Sequence, residues 1–206
     1  MEYSSDSLDL KIVKTFLNGC GLKASRFLGN KSDNTPTPDL KVFSDKSHIF
    51  NCEVKSLSKD DRLDVLLDAA SPGELVGGLM SDTIFNRITN HIHKAAKQLC
   101  AVNPKRDIPN VVAIINHDKN ASHLDFHGAV TGNIILDSGV ELPIFEYYSK
   151  GRIKDDLLHL HLILWLDDFT SDWLFFTECD LNHDKLLKSL FRNPPKRPKP
   201  FDVNSL

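Results

Sequence analysis

An α/β domain, a mixed central sheet flanked by helices, is predicted by three features of the sequence. Residues 36–58 hold two stretches of alternating polar and apolar side chains around a turn composition, the pattern of a β-hairpin. Residues 82–102 hold a long amphipathic helical pattern. Residues 110–116, Asn-Val-Val-Ala-Ile-Ile-Asn, are a continuous apolar run of the kind buried on both faces of a sheet. Hairpin, helix and buried strand in that order predict a crossover helix and a strand parallel to its neighbour.

At 206 residues, 41% hydrophobic and 26% charged, the chain has ordinary globular composition and fits one domain over 1–193. A formal net charge of −3 supplies no global basic field. That speaks against a non-specific nucleic-acid coat protein, but not against an enzyme with a local basic patch. Cys20, Cys52, Cys100 and Cys179 are widely spaced and form no C-x-x-C pair, which argues against a zinc ribbon. The polar stretch 1–9 lacks an apolar signal region, and no run reaches the length of a membrane span. A reducing, cytoplasmic setting with no membrane partner is the expectation. No phosphate-cradling glycine loop or nucleophile elbow is present.

Residues 6–18 predict a helix with an apolar stripe of Leu8, Ile12, Val13, Phe16 and Leu17, ended by Asn18-Gly19-Cys20-Gly21. Lys23–Leu28 reads as a short strand, and 29–36 as a polar loop whose place before Asp39 suits substrate contact and whose composition equally suits an ordinary connection. In the hairpin, Leu40 and Val42 face one side; Phe50, Cys52 and Val54 face the core. Asp39, Asn51, Glu53 and Lys55 fall on the opposite face, and Ser44–Ser47 make the turn. Lys59–Ala70 has helical spacing through Leu63, Leu66 and Leu67, stopped by Ser71-Pro72-Gly73.

In the 82–102 helix, Asp82 is the natural N-cap. Ile84, Phe85, Ile88, Ile92, Ala95, Ala96 and Leu99 form its buried stripe, with Arg87, His91, Lys94, Lys97 and Gln98 off it. Val130–Leu136 and Leu142–Tyr147 read as strand or loop, Leu157–Leu166 and Trp173–Thr177 as strands, and Asn182–Phe191 as a final helix. Residues 194–206 open with a proline-rich, basic run and read as an extended tail.

The polar face of the hairpin carries the chemistry. Glu53 and Lys55, two apart on a strand, lie side by side, and Asp39 on the paired strand can lie beside them. Two such carboxylates suit a hard divalent cation such as Mg²⁺, with the Val54 carbonyl as a further oxygen ligand. The structural alternative is a solvated ion pair on an ordinary hairpin, which contributes little.

Pro38-Asp39 followed by Glu53-Val54-Lys55 resembles the PD-(D/E)xK phosphodiesterase superfamily of restriction-endonuclease-like nucleases. The resemblance covers the motif and the helix-hairpin-helix-strand order over roughly residues 5–118. It implies Asp39 and Glu53 as metal ligands, Lys55 as the catalytic lysine, and a restriction-endonuclease-like fold. It also implies Mg²⁺ as cofactor, with Mn²⁺ as substitute, and a nucleic-acid substrate, DNA by the habit of the superfamily. Relatives often carry an acidic residue on the first helix, for which Glu2, Asp6 and Asp9 are candidates, none preferred. The helix after the lysine can contribute a Gln, Lys or Arg, for which Lys94, Lys97 and Gln98 are candidates beside the reading of a plain exposed face.

The expected function is metal-dependent hydrolysis of phosphodiester bonds, in restriction, phage defence, mobile-element processing or repair. The rival is a non-catalytic nucleic-acid-binding or protein-interaction module with the same fold. Apolar strands in the second half also allow a homodimer, as a double-strand cutter needs. The histidines offer a weaker metal reading. His159 and His161 share one face of the expected strand, a genuine ligand geometry for which the sequence identifies no third partner, and His117, Asp118, His123 and His127 cluster after the buried strand.

Overall fold

The computed structural model describes residues 5–27, 37–59, 62–74, 84–136, 138–143, 151–177 and 179–196. Among these the chain runs α1 (Ser5–Gly19), β1 (Lys23–Arg26), β2 (Leu40–Ser44), β3 (Ser47–Leu57), α2 (Arg62–Ala69), α3 (Ile84–Val102), β4 (Asn110–Asn116) and α4 (His123–Thr131). It continues through β5 (Ile134–Ile135), β6 (Glu141–Leu142), α5 (Gly151–Leu157), β7 (Leu162–Asp167), β8 (Trp173–Phe176) and α6 (Leu181–Leu190). Six strands form one mixed sheet in the order β1-β2-β3-β4-β7-β8. The outer pairings β1–β2, β2–β3 and β7–β8 are antiparallel. The inner pairings β3–β4 and β4–β7 are parallel, so α3 is the expected crossover.

Every residue of β4 is buried because its alternate side chains feed two cores. Val111, Ala113 and Ile115 pack with Leu40, Val42, Phe50 and Cys52 under α1 and α6, whose Val13, Phe16, Leu17 and Leu187 close that layer. Val112 and Ile114 pack with Ile163 and Trp165 under α3, α4 and α5, through Ile88, Ile92, Leu99, Phe126 and Ile153. A strand covered on both faces has no polar side, which is why its sequence shows no alternation.

Several expectations need correction. The strand expected over Leu157–Leu166 begins only at Leu162, and the residues before it include the end of α5. All six residues of β7 are buried, so it too is covered on both faces. Val130 belongs to α4 rather than to a strand, and β5 and β6 are a two-residue pair. The helical spacing over Lys59–Ala70 is met by α2, on which Leu66 is exposed. The start of the tail is packed: a Cβ at Gly19 would lie 2.6 Å from Pro195 Cγ. The Asp82 cap, Gly77-Gly78, the whole 29–36 loop, the 144–147 stretch and the tail beyond 196 lie outside the described residues.

Ser122 caps α4 with a reciprocal box. Its hydroxyl accepts from the Leu124 and Asp125 amides, and the Asp125 carboxylate accepts from the Ser122 amide at 2.8 Å. Ser122→Ala is expected to cost about 1 kcal/mol of stability, read as a shift in urea midpoint at unchanged slope.

Candidate active site

The site forms where the β2–β3 ladder stops. The register pairs Val42 with Phe50 and Leu40 with Cys52, so its continuation would set Pro38 opposite Val54. Proline has no N–H to give the ladder. The Val54 amide donates instead to the Asp39 carboxylate at 2.9 Å, and the Asp39 amide donates to Glu53 Oε2 at 3.2 Å. In a strand the amide and carbonyl of one residue point to the same edge, so the Val54 carbonyl also faces this opening. β3 runs on to Leu57 with β4 on its other side. Its edge past Cys52 is thus open to the site.

Asp39, Glu53, Val54, Lys55 and Ser56 line a cavity of about 320 Å³, joined by Arg26 from β1 and Asp9 from α1. The structure therefore brings together all the hairpin residues singled out by sequence. It adds Asp9, which the sequence offered only as one of three acidic candidates. Glu2 and the Asp6 side chain lie outside the described residues. A larger cleft of about 620 Å³ lies elsewhere, walled by Phe16, Trp173, Leu174 and Pro194–Lys196. It holds no comparable convergence of charged groups, so the smaller cavity is the candidate site.

The polar face of β3 is not a solvated face. Glu53 is 2% exposed and Asn51 3%, because α3 packs against this strand. Lys55 donates to Glu53 Oε1 and to Gln98 Oε1 of α3, each at 2.6 Å. An ammonium fixed between two acceptors, one of them buried, is unlike a loose surface pair. The reading of α3 as a plain exposed polar face is corrected at Gln98, whereas Lys94 and Lys97 are exposed.

Burial pushes the Glu53 carboxyl up to about 7, and the neighbouring Asp39 charge adds to this while Lys55 offsets part of it. His91, on the same side of α3, is pushed down to about 4 by burial and by the charges of Lys55, Lys94 and Arg87. It is neutral at neutral pH. Arg87 itself is committed to Asp118 at 2.7 Å.

His117 follows β4 and touches two carboxylates. Nε2–H donates to Asp9 Oδ1 at 2.8 Å and Nδ1–H to Asp168 Oδ2 at 2.5 Å. These bonds raise its pKa to about 9. The other oxygen of Asp9, Oδ2, is buried and has no hydrogen-bond donor among the described residues.

The histidine sets do not converge on a metal. The Asn110 amide donates to His161 Nδ1 at 3.0 Å, so the neutral ring carries its proton on Nε2 and directs it at His183 Nδ1, 3.1 Å away. No lone pair of His161 remains for a cation. His159 faces Cys100 instead, with Nδ1 3.9 Å from Sγ, and His123 stacks on Trp173. Among the described residues no group of three or more His, Cys, Asp or Glu side chains is arranged as a ready metal cage.

No protein-family model, curated protein or solved structure matches this chain. No helix among the described residues is long and apolar enough to cross a membrane.

Proposed function

We propose that this chain is a divalent-cation-dependent nuclease of the restriction-endonuclease-like kind, hydrolysing phosphodiester bonds, with DNA as the substrate the resemblance favours. The observation that carries the reading is the interrupted ladder. It gathers Asp39, Glu53, the Val54 carbonyl and Lys55 at one open strand edge inside a cavity.

The donor set fits a hard cation. It is all oxygen, it includes a carbonyl that Pro38 leaves without a ladder N–H, and it includes the unpaired Asp9 Oδ2. Asp39, Glu53 and Val54 would hold Mg²⁺ or Mn²⁺, with Asp9 closing the set. The cation would supply Lewis-acid polarisation of a phosphoryl oxygen and acidify water for attack. Lys55, held by Glu53 and Gln98, presents its ammonium where charge builds on the phosphate. Arg26 at the cavity wall offers a second cationic group to a phosphate.

The test is cleavage of plasmid and linear DNA with Mg²⁺ or Mn²⁺, run beside Lys55→Ala. Cleavage that needs the cation and disappears in the variant supports the reading. Cation-independent cleavage, or cleavage equal in the variant, contradicts it. Gln98→Ala removes one of the two acceptors that orient Lys55. It is expected to lower the rate about tenfold, as loss of an orienting partner commonly does, with substrate affinity little changed.

A further inference from the structure

Asp9 is a strange place for a charge. It lies on α1 at 2% exposure, and a buried carboxylate is costly unless a cation or donors offset it. One offset is visible: the His117 ring, which closes on Asp9 Oδ1 through Nε2 and on Asp168 Oδ2 through Nδ1. Two carboxylate acceptors require a proton on each ring nitrogen, so the ring is an imidazolium. The three residues come from three elements: α1, the end of β4 and the end of β7. With Oδ1 held by the ring, Oδ2 is left buried without a donor among the described residues, and Asp9 forms part of the cavity wall beside Asp39 and Glu53.

We propose that His117, oriented by Asp168, is a positioning residue that turns Asp9 Oδ2 into the cavity as a further cation ligand. The inference rests on the cation-site reading above. Asp168 does not touch the cavity in this scheme; it acts through the ring, as an outer carboxylate orients a histidine. The clamp also ties α1 to the C-terminal ends of two parallel strands, so the ligand and the sheet keep one geometry.

The test is calorimetric titration of Mn²⁺ into the full chain at pH 8, with the melting temperature measured without metal. The variants are Asp39→Ala, Asp9→Asn, His117→Gln, Asp168→Asn and the double variant of His117 and Asp168. The expected result is a loss of Mn²⁺ affinity of about 10- to 100-fold in each of the three single variants of Asp9, His117 and Asp168. The double variant should lose no more than His117→Gln alone, since Asp168 acts only through the ring. Asp168→Asn leaves the His117–Asp9 contact in place, so it reports even where His117→Gln folds poorly. Wild-type binding that Asp39→Ala abolishes, but His117→Gln and Asp168→Asn leave intact, overturns the clamp and keeps the site. A lowered melting temperature with unchanged affinity also overturns it, because that is a purely structural role. No Mn²⁺ binding by the wild type overturns the cation-site reading, and the clamp with it.

Discussion

Lys55→Ala is expected to slow cation-dependent phosphodiester cleavage by about 100- to 1000-fold under single-turnover conditions, the usual cost of removing one preorganised group that stabilises developing charge. The size follows from how the ammonium is held. Its side chain is only 16% exposed and is pinned at 2.6 Å by an acceptor from β3 and another from α3. Such a group costs little reorganisation when charge appears on the phosphate. The loss should fall on the chemical step rather than on DNA affinity, since one interior lysine adds little to the phosphate contacts that dominate binding. A second effect accompanies it. Lys55 holds the Glu53 carboxyl down against burial. Without it that carboxyl protonates more readily, so part of the lost activity should return as pH is raised.

Glu53→Gln is expected to abolish cation binding and cleavage while flattening the dependence of stability on pH. Burial raises the Glu53 carboxyl from 4.5 to about 7. The folded state therefore keeps a proton that the unfolded state has already released over this window. The stabilisation is fully present below about pH 4.5 and is lost as pH rises through 7, a loss of about 3 kcal/mol. Glutamine does not titrate, so the difference between wild-type and variant unfolding free energies should carry this slope. His117 acts in the next window in both proteins. Its pKa is raised to about 9, so its stabilisation is present below 6.5 and lost as pH rises through 9. Urea melts from pH 4 to 9 separate the two. Equal slopes for wild type and Glu53→Gln between pH 4.5 and 7 would contradict the assigned environment of Glu53. In the wild type, cation affinity should rise roughly tenfold per pH unit up to about 7, because binding must displace that proton.

The period-2 alternation of 39–43 and 48–55 marks β2 and β3 in the sequence, and the unbroken Val-Val-Ala-Ile-Ile run marks β4 as central. Asp39, Glu53 and Lys55 were legible because strand periodicity alone places them on one face. The burial of that face was not. Alternation gives Glu53 the side opposite Phe50 and Cys52, and only the packing of α3, far along the chain, makes that side an interior one. The Lys55–Gln98 bond spans 43 positions and the Asp9–His117 bond 108, distances over which no local pattern speaks.

The second half misled for a local reason. Leu158, Leu160, Leu162 and Leu164 alternate as a strand would, yet the first two lie between α5 and β7. The helix α4 is only nine residues long and its strand-forming residues Val130 and Thr131 fall at its end, but its Ser122-x-x-Asp125 capping signature was a readable signal for its start.

The most direct test of the central claim is a calorimetric titration of Mn²⁺ at pH 8 into the wild type, Asp39→Ala and Glu53→Gln. The wild type is expected to bind, and binding is expected to be lost in both variants, whose carboxylates meet at the open edge of β3. Binding that survives both substitutions, or no binding by the wild type, contradicts the claim. The hairpin would then be part of a non-catalytic module, and Lys55 a buried structural ion-pair partner.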